Sequence, residues 1–164
     1  MDEQSIMAMC LEEARRAYDK NEVPVGALVV ADDHTIVSRA HNLTRTLNNP
    51  TAHAEVLAVE AASNILGNFR LNGYTLYVTK EPCLMCAGAI IESRIKRVVF
   101  GCFDSKRGAF GSLINANDLR LNHKVDVTGG VLQHESEALL RKFFRERRGT
   151  EVVITGPTRN RLYA

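Results

Sequence analysis

Apolar positions over the first twenty residues recur at helical spacing. Ile6, Cys10, Ala14, Ala17 and Tyr18 share one side with charged residues opposite, which predicts an amphipathic helix over 3–20. The pattern then changes to strand-like runs at 26–31 and 35–40, joined at Asp32-Asp33-His34 as a hairpin. A polar loop follows over 42–50. A second helix is predicted over 51–62, with Thr51 as its N-cap and Pro50 just before it. The β-branched and aromatic run 74–79 reads as a strand, 83–93 as a third helix and 97–103 as another strand. Beyond a loop at 104–111, a short helix over 114–119, a weaker strand at 125–128 and a last helix over 135–148 complete the pattern. Strands alternating with helices predict an α/β fold of three layers, α/β/α, around a central five-stranded mixed sheet. The expected domain is 1–148. The tail, 149–164, stands apart, with a strand-like run from Glu151 to Thr155 and a turn at Gly156-Pro157.

Composition keeps this picture and narrows the classes. At 164 residues, 45% apolar and 24% charged, the chain suits one globular domain with a real core. No apolar run approaches the roughly 18 residues a membrane helix needs, and the acidic start Met1-Asp2-Glu3 is unlike a secretory signal. Of the four cysteines, Cys83 and Cys86 form a C-x-x-C. Cys10 and Cys102 sit in apolar surroundings and read as small core residues, although a disulfide between them is conceivable. A reducing, cytoplasmic compartment is expected. The net charge of +2 is unevenly spread. Residues 1–119 carry 12 Lys+Arg against 14 Asp+Glu, and residues 120–164 carry 9 against 5. A basic end suits an anionic partner, but charge alone favours a solvated helix face.

Two short motifs carry chemistry. His53-Ala54-Glu55 opens one predicted helix, and Pro82-Cys83-Leu84-Met85-Cys86 opens another. One histidine and two cysteines are ligands zinc prefers, and a site of three protein ligands leaves a position for water, the catalytic arrangement. His53, Cys83 and Cys86 are therefore the expected ligands of one Zn²⁺ per subunit, with Glu55 left to move protons. Helix N-termini favour the thiolates. A lone C-x-x-C is weak, since it serves redox pairs and half-sites of structural zinc, and a lone H-x-E is near noise. Together at this spacing they form the zinc nucleobase deaminase signature. His34, His41, His123 and His134 lack ligand spacing and read as turn, surface or packing residues.

On these and further stretches the chain resembles the bacterial tRNA-specific adenosine deaminases of the TadA type. The stretches are Glu22-Val23-Pro24-Val25-Gly26-Ala27, Pro50 to Glu55, Glu81 to Ala89, Asp104 to Ser112, Asn122-His123-Lys124, and Phe143 to Arg148. The resemblance implies a cytidine-deaminase-like fold, a homodimer, and conversion of a tRNA wobble adenosine to inosine, with an arginine tRNA the expected carrier. It also implies a substrate site formed by Asn42 on the adenine, Val25 and Ala54 around the base, and Asp104 near the sugar. Without it, Asn42 reads as a turn former, Val25 as core and Asp104 as a loop cap. Lys106, Arg107, Arg145 and Arg148 are expected on the RNA backbone. Arg141, Arg145 and Arg148 share one helix face, which would position an anticodon stem-loop without reading its sequence.

The chain also departs from the family. Lys80 stands where an apolar residue is common, Arg45-Thr46 replaces a commoner Arg-Glu, Cys102-Phe103 falls in a variable stretch, and the tail differs from the basic, helical or disordered tail of many members. Two other readings compete. One is deamination of a free nucleobase or nucleoside such as guanine or cytosine, which the 104–112 loop and the basic last helix oppose. The other is a zinc-stabilised RNA-binding subunit without catalysis, which would have no use for Glu55.

Overall fold

The computed structural model describes residues 1–151, with side chains through Arg148. Four helices and five strands follow one another: α1 (Glu3–Asp19), β1 (Gly26–Val30), β2 (Ile36–His41), α2 (Ala54–Leu66), β3 (Thr75–Lys80), α3 (Leu84–Glu92), β4 (Arg97–Cys102), β5 (Asp126–Thr128) and α4 (Gln133–Glu151). The sheet order is β2-β1-β3-β4-β5. β1 runs antiparallel to both β2 and β3, whereas β3–β4 and β4–β5 are parallel, so the sheet is mixed as expected.

Alternation along the central strands builds two cores. Ala27, Val29, Leu76, Val78, Val98 and Phe100 pack with Ala58, Ala62, Ile90 and Ile91 of α2 and α3. Their neighbours Leu28, Val30, Tyr77 and Val99 point the other way and pack with Ile6, Met7 and Cys10 of α1. α4 joins the α1 side, where the Tyr18 and Phe143 rings meet edge to face with centroids 5.9 Å apart. Each fully buried large side chain of this kind stabilises the fold by about 1.5–3 kcal/mol. Gly26 is where α1 touches the sheet: a Cβ there would lie 2.0 Å from the Cys10 carbonyl oxygen, so only glycine permits the approach.

Several boundaries differ from the sequence expectation. α2 begins at Ala54, not at 51, because the Thr51 N–H and hydroxyl both bond to the Asn49 side chain, leaving His53 at the N-cap position. The short helix expected over 114–119 is a single 3-10 turn, Ala116–Asp118. α4 continues past Arg148 through Glu151, where a strand was expected to start. The rest of that expected strand, with the Gly156-Pro157 turn, lies outside the described residues. Cys10 and Cys102 are buried free thiols and form no disulfide. Among the described residues no helix is long and apolar enough to cross a membrane.

Candidate active site

A cleft of about 220 Å³ opens at the sheet edge where β3 and β4 end, β2 ends and β1 begins. Ligand sites in open α/β sheets favour this edge. Its walls include Val25, Asn42, His53, Glu55, Cys83, Asp104 and Arg107. Two helix starts supply the metal-type atoms. His53 and Cys83 hold the N-cap positions of α2 and α3 with extended backbone, and neither side chain caps its own helix. Both are therefore free to turn towards one point. His53 Nδ1 lies 3.7 Å from Cys83 Sγ and 3.4 Å from Cys86 Sγ, and the three atoms lie within 4.8 Å of one another. A tetrahedral zinc with Zn–N near 2.0 Å and Zn–S near 2.3 Å sets such N···S edges at about 3.6 Å. The cluster fits zinc in both donor type and spacing.

The electrostatics agree with that chemistry. The hydrogen bond from the Cys86 thiol holds the Cys83 thiol down to about 3 against the effect of burial, with His53 adding to the pull. Burial raises the Glu55 carboxyl above the ordinary carboxylate range, against the opposing pull of its own backbone N–H and of His53.

Asn42 takes over the capping that His53 gives up. Its Oδ1 accepts the Ala54 N–H at 2.7 Å, the first amide of α2. Because that partner is a donor, the Asn42 oxygen must face it, and the Nδ2 donors are left for the cleft. Ala54 itself is fully buried and is not among the residues that line the cleft; only this hydrogen bond ties it to the cleft wall. Val25 is buried and its carbonyl accepts the Asn42 N–H at 3.2 Å, which fixes the two walls together. Asp104 Oδ1 accepts the N–H groups of Lys106 and Arg107, both at 3.1 Å, and Oδ2 pairs with Lys80 Nζ at 3.0 Å. Burial acts to raise the Asp104 carboxyl, but the Lys80 bond and charge outweigh it and hold it low. Of the expected backbone contacts, Arg107 lines the cleft and Lys106 is exposed beside it. Arg145 and Arg148 are exposed on α4 and do not line it.

Three residues of the site had no role assigned from sequence. Glu22, fully buried, accepts the backbone N–H groups of Arg45 (3.0 Å) and Thr46 (2.8 Å) and so holds the loop beyond Asn42. Glu81, also buried, accepts those of Asp104 (3.2 Å), Phe110 (3.2 Å) and Ser112 (3.1 Å), together with the Ser112 hydroxyl. A Cβ at Gly108 would fall 2.2 Å from the Glu81 Oε2, so glycine is required where the loop wraps this carboxylate. Lys80 lines the cleft as the partner of Asp104. The remaining histidines lie elsewhere: His34 sits in the hairpin turn with φ of 67°, His41 pairs with Glu13 at 2.9 Å, His123 bonds the Ile95 carbonyl at 2.6 Å, and His134 is exposed in the first turn of α4.

Residues 1–102 match the cytidine and deoxycytidylate deaminase zinc-binding region. A tRNA-specific adenosine deaminase of Bacillus subtilis is 48% identical over 143 residues, 87% of this chain and 88% of that protein. One of Haemophilus influenzae is 46% identical over 89% of this chain and 85% of that protein. A structure solved in work on A-to-I editing by tRNA:A34 deaminases superposes with a TM-score of 0.75 at 41% identity, covering 81% of this chain and 96% of that one. A guanine deaminase of Nitrosomonas europaea shares the fold, with a TM-score of 0.74 at 24% identity, covering 87% of this chain and 84% of that one. The chain belongs to the cytidine and deoxycytidylate deaminase family, and within it to the tRNA-specific adenosine deaminases. It is a deaminase of the zinc-dependent kind.

Proposed function

We propose that the chain hydrolyses the wobble adenosine of a tRNA anticodon loop to inosine. One observation carries this reading: the His53-Cys83-Cys86 cluster, the Glu55 carboxylate and the Asn42 carboxamide open into one cleft. That constellation occurs in a chain 48% identical to a tRNA-specific adenosine deaminase. Zinc, one ion per subunit held by His53, Cys83 and Cys86, supplies a Lewis acid that lowers the pKa of water in the cleft. Glu55 takes a proton from the attacking water as its oxygen bonds to C6 of the purine. The carboxyl returns that proton to N1. The second proton of the water passes by the same carboxylate to the exocyclic nitrogen, which leaves as ammonia. Asn42, with its oxygen committed to Ala54, offers N–H donors to the base edge. Val25 packs on the base face, and Asp104 lies beside the sugar.

The base reaches such a cleft only outside a stack, and a single-stranded loop makes that step least costly. Lys106, Arg107, Arg145 and Arg148 hold the flanking backbone. The enzyme works as a homodimer, away from membranes and in the cytoplasm. The α3 start and the loop after β4, tied by the Ala109 N–H to the Pro82 carbonyl at 2.8 Å, expose Leu84, Met85, Leu113 and Ile114 for that contact. The test is turnover on an anticodon stem-loop carrying adenosine at the wobble position, read as inosine, against free adenosine, guanine and cytosine. The stem-loop is expected to be processed fastest. Faster turnover of any free base or nucleoside overturns the assignment.

A further inference from the structure

Lys80 brings a positive charge into the wall of a cleft whose interior already has the groups that a base and a water require. It is the last residue of β3, next to Glu81, and its side chain is 26% exposed. Its ammonium sits 3.0 Å from Asp104 Oδ2, and the Asp104 side chain is only 12% exposed. The other Asp104 oxygen is engaged by the Lys106 and Arg107 amides. Asp104 is itself held in place through its own N–H by the buried Glu81. The ammonium is thus aimed by a carboxylate that is fixed on three sides. A lysine ammonium has three N–H donors, and Asp104 takes one. The exposed Arg107 lines the same wall, and among the described residues its guanidinium makes no ion pair. Two cationic heads with donors to spare, at the half-exposed part of the cleft, match an anionic oxygen rather than a neutral ring.

We infer that Lys80 is a further positioning residue, contacting a phosphodiester oxygen beside the nucleotide in the cleft. This rests on the polynucleotide reading above and deepens it. A free base carries no such oxygen, so Lys80 favours a nucleotide embedded in a strand. Because Asp104 already orients the ammonium, little side-chain freedom is lost on binding. The contact would position the strand and carry no sequence information.

The experiment measures binding of an anticodon stem-loop by fluorescence anisotropy over a salt series, for wild type, Lys80→Met, Lys80→Arg and Lys96→Met. Lys96 lies just before β4, at the opposite end of the sheet, and its loss removes the same charge. A second stem-loop carries neutral methylphosphonate linkages flanking the wobble nucleotide. Lys80→Met is expected to weaken binding of the native stem-loop about tenfold and to flatten the log Kd against log salt slope by about one. Lys80→Arg and Lys96→Met should stay near wild type. The methylphosphonate stem-loop should bind wild type as weakly as Lys80→Met binds the native one, and Lys80→Met should lose nothing further on it. If Lys80→Met binds like wild type, or if the two losses multiply, the direct contact is wrong. If wild type neither binds nor deaminates the native stem-loop, the fault lies with the polynucleotide reading instead.

Discussion

Glu55 is a carboxylate placed where the surrounding protein opposes its charge. It is buried in the first turn of α2, two residues from His53, and its carboxyl is raised by that burial. None of the metal-type atoms belongs to it. Removing the carboxylate should therefore leave the cluster intact and take away only proton transfer. Glu55→Ala is expected to retain about one zinc per chain by metal analysis and to bind the stem-loop, while turnover falls by about 10²- to 10⁴-fold. Near wild-type turnover in that variant would contradict the role. These residues were legible in the chain because their chemistry is encoded by short local spacing. Lys80, Glu81 and Glu22 were not. Each acts on a group more than twenty residues away, and nothing in a linear reading says which loop amides a lone buried glutamate will meet.

Helix starts and loops form the next level, and there Asn42 does two jobs that can be separated. Its oxygen caps α2 from twelve residues away, while its amine faces the cleft. Asn42→Asp keeps an acceptor for the Ala54 N–H and adds negative charge at a helix N-terminus, which is stabilising, but it has no amine to donate. Asn42→Ala loses both. Thermal unfolding should find Asn42→Asp as stable as wild type and Asn42→Ala about 1 kcal/mol less stable. Both should deaminate at least about tenfold more slowly, by loss of a hydrogen bond to substrate. An active Asn42→Asp would remove the amine from the mechanism. This remote cap is also why α2 was expected at Thr51: local rules favour the nearest hydroxyl, and Thr51 is drawn into the turn with Asn49 instead. The strands and their alternation were legible because both sheet faces are covered and the period of two survives in β1, β3 and β4; their order in the sheet was not, since pairing between distant strands leaves no local pattern.

The loop beyond Asn42 depends on pH through its buried anchor, Glu22. Burial acts to raise the Glu22 carboxyl, but the amides of Thr46 and Arg45 outweigh it, and its folded pKa lies below 4.5. A depressed carboxyl stabilises the fold fully above its unfolded value and loses that contribution as pH falls through the folded one. Glu22→Gln should therefore be about 1–2 kcal/mol less stable than wild type at pH 7. The gap in urea midpoints should shrink as pH falls below 4.5. A gap that widens towards acid would reverse the sign of the argument.

At the scale of the whole molecule, an apolar surface among the described residues lies beside the cleft. Leu84 and Leu113 are each 59% exposed, with Met85 and Ile114 beside them in sequence, on two segments joined by the Ala109–Pro82 hydrogen bond. Large apolar side chains gathered at the surface mark an interaction site, and closed symmetric dimers are the commonest way that like chains cover such surfaces. The same loop carries Asp104 and Arg107 and is pinned by Glu81, so association there would stiffen the cleft wall as it buries the leucines. Sedimentation at micromolar concentration should give twice the 18.2 kDa chain mass. Leu113→Asp, which sets a carboxylate in that contact, should shift the population towards single chains and slow turnover on the stem-loop, while leaving zinc content unchanged. A wild-type protein that sediments only as a single chain and remains fully active would show that the surface serves something other than a second copy.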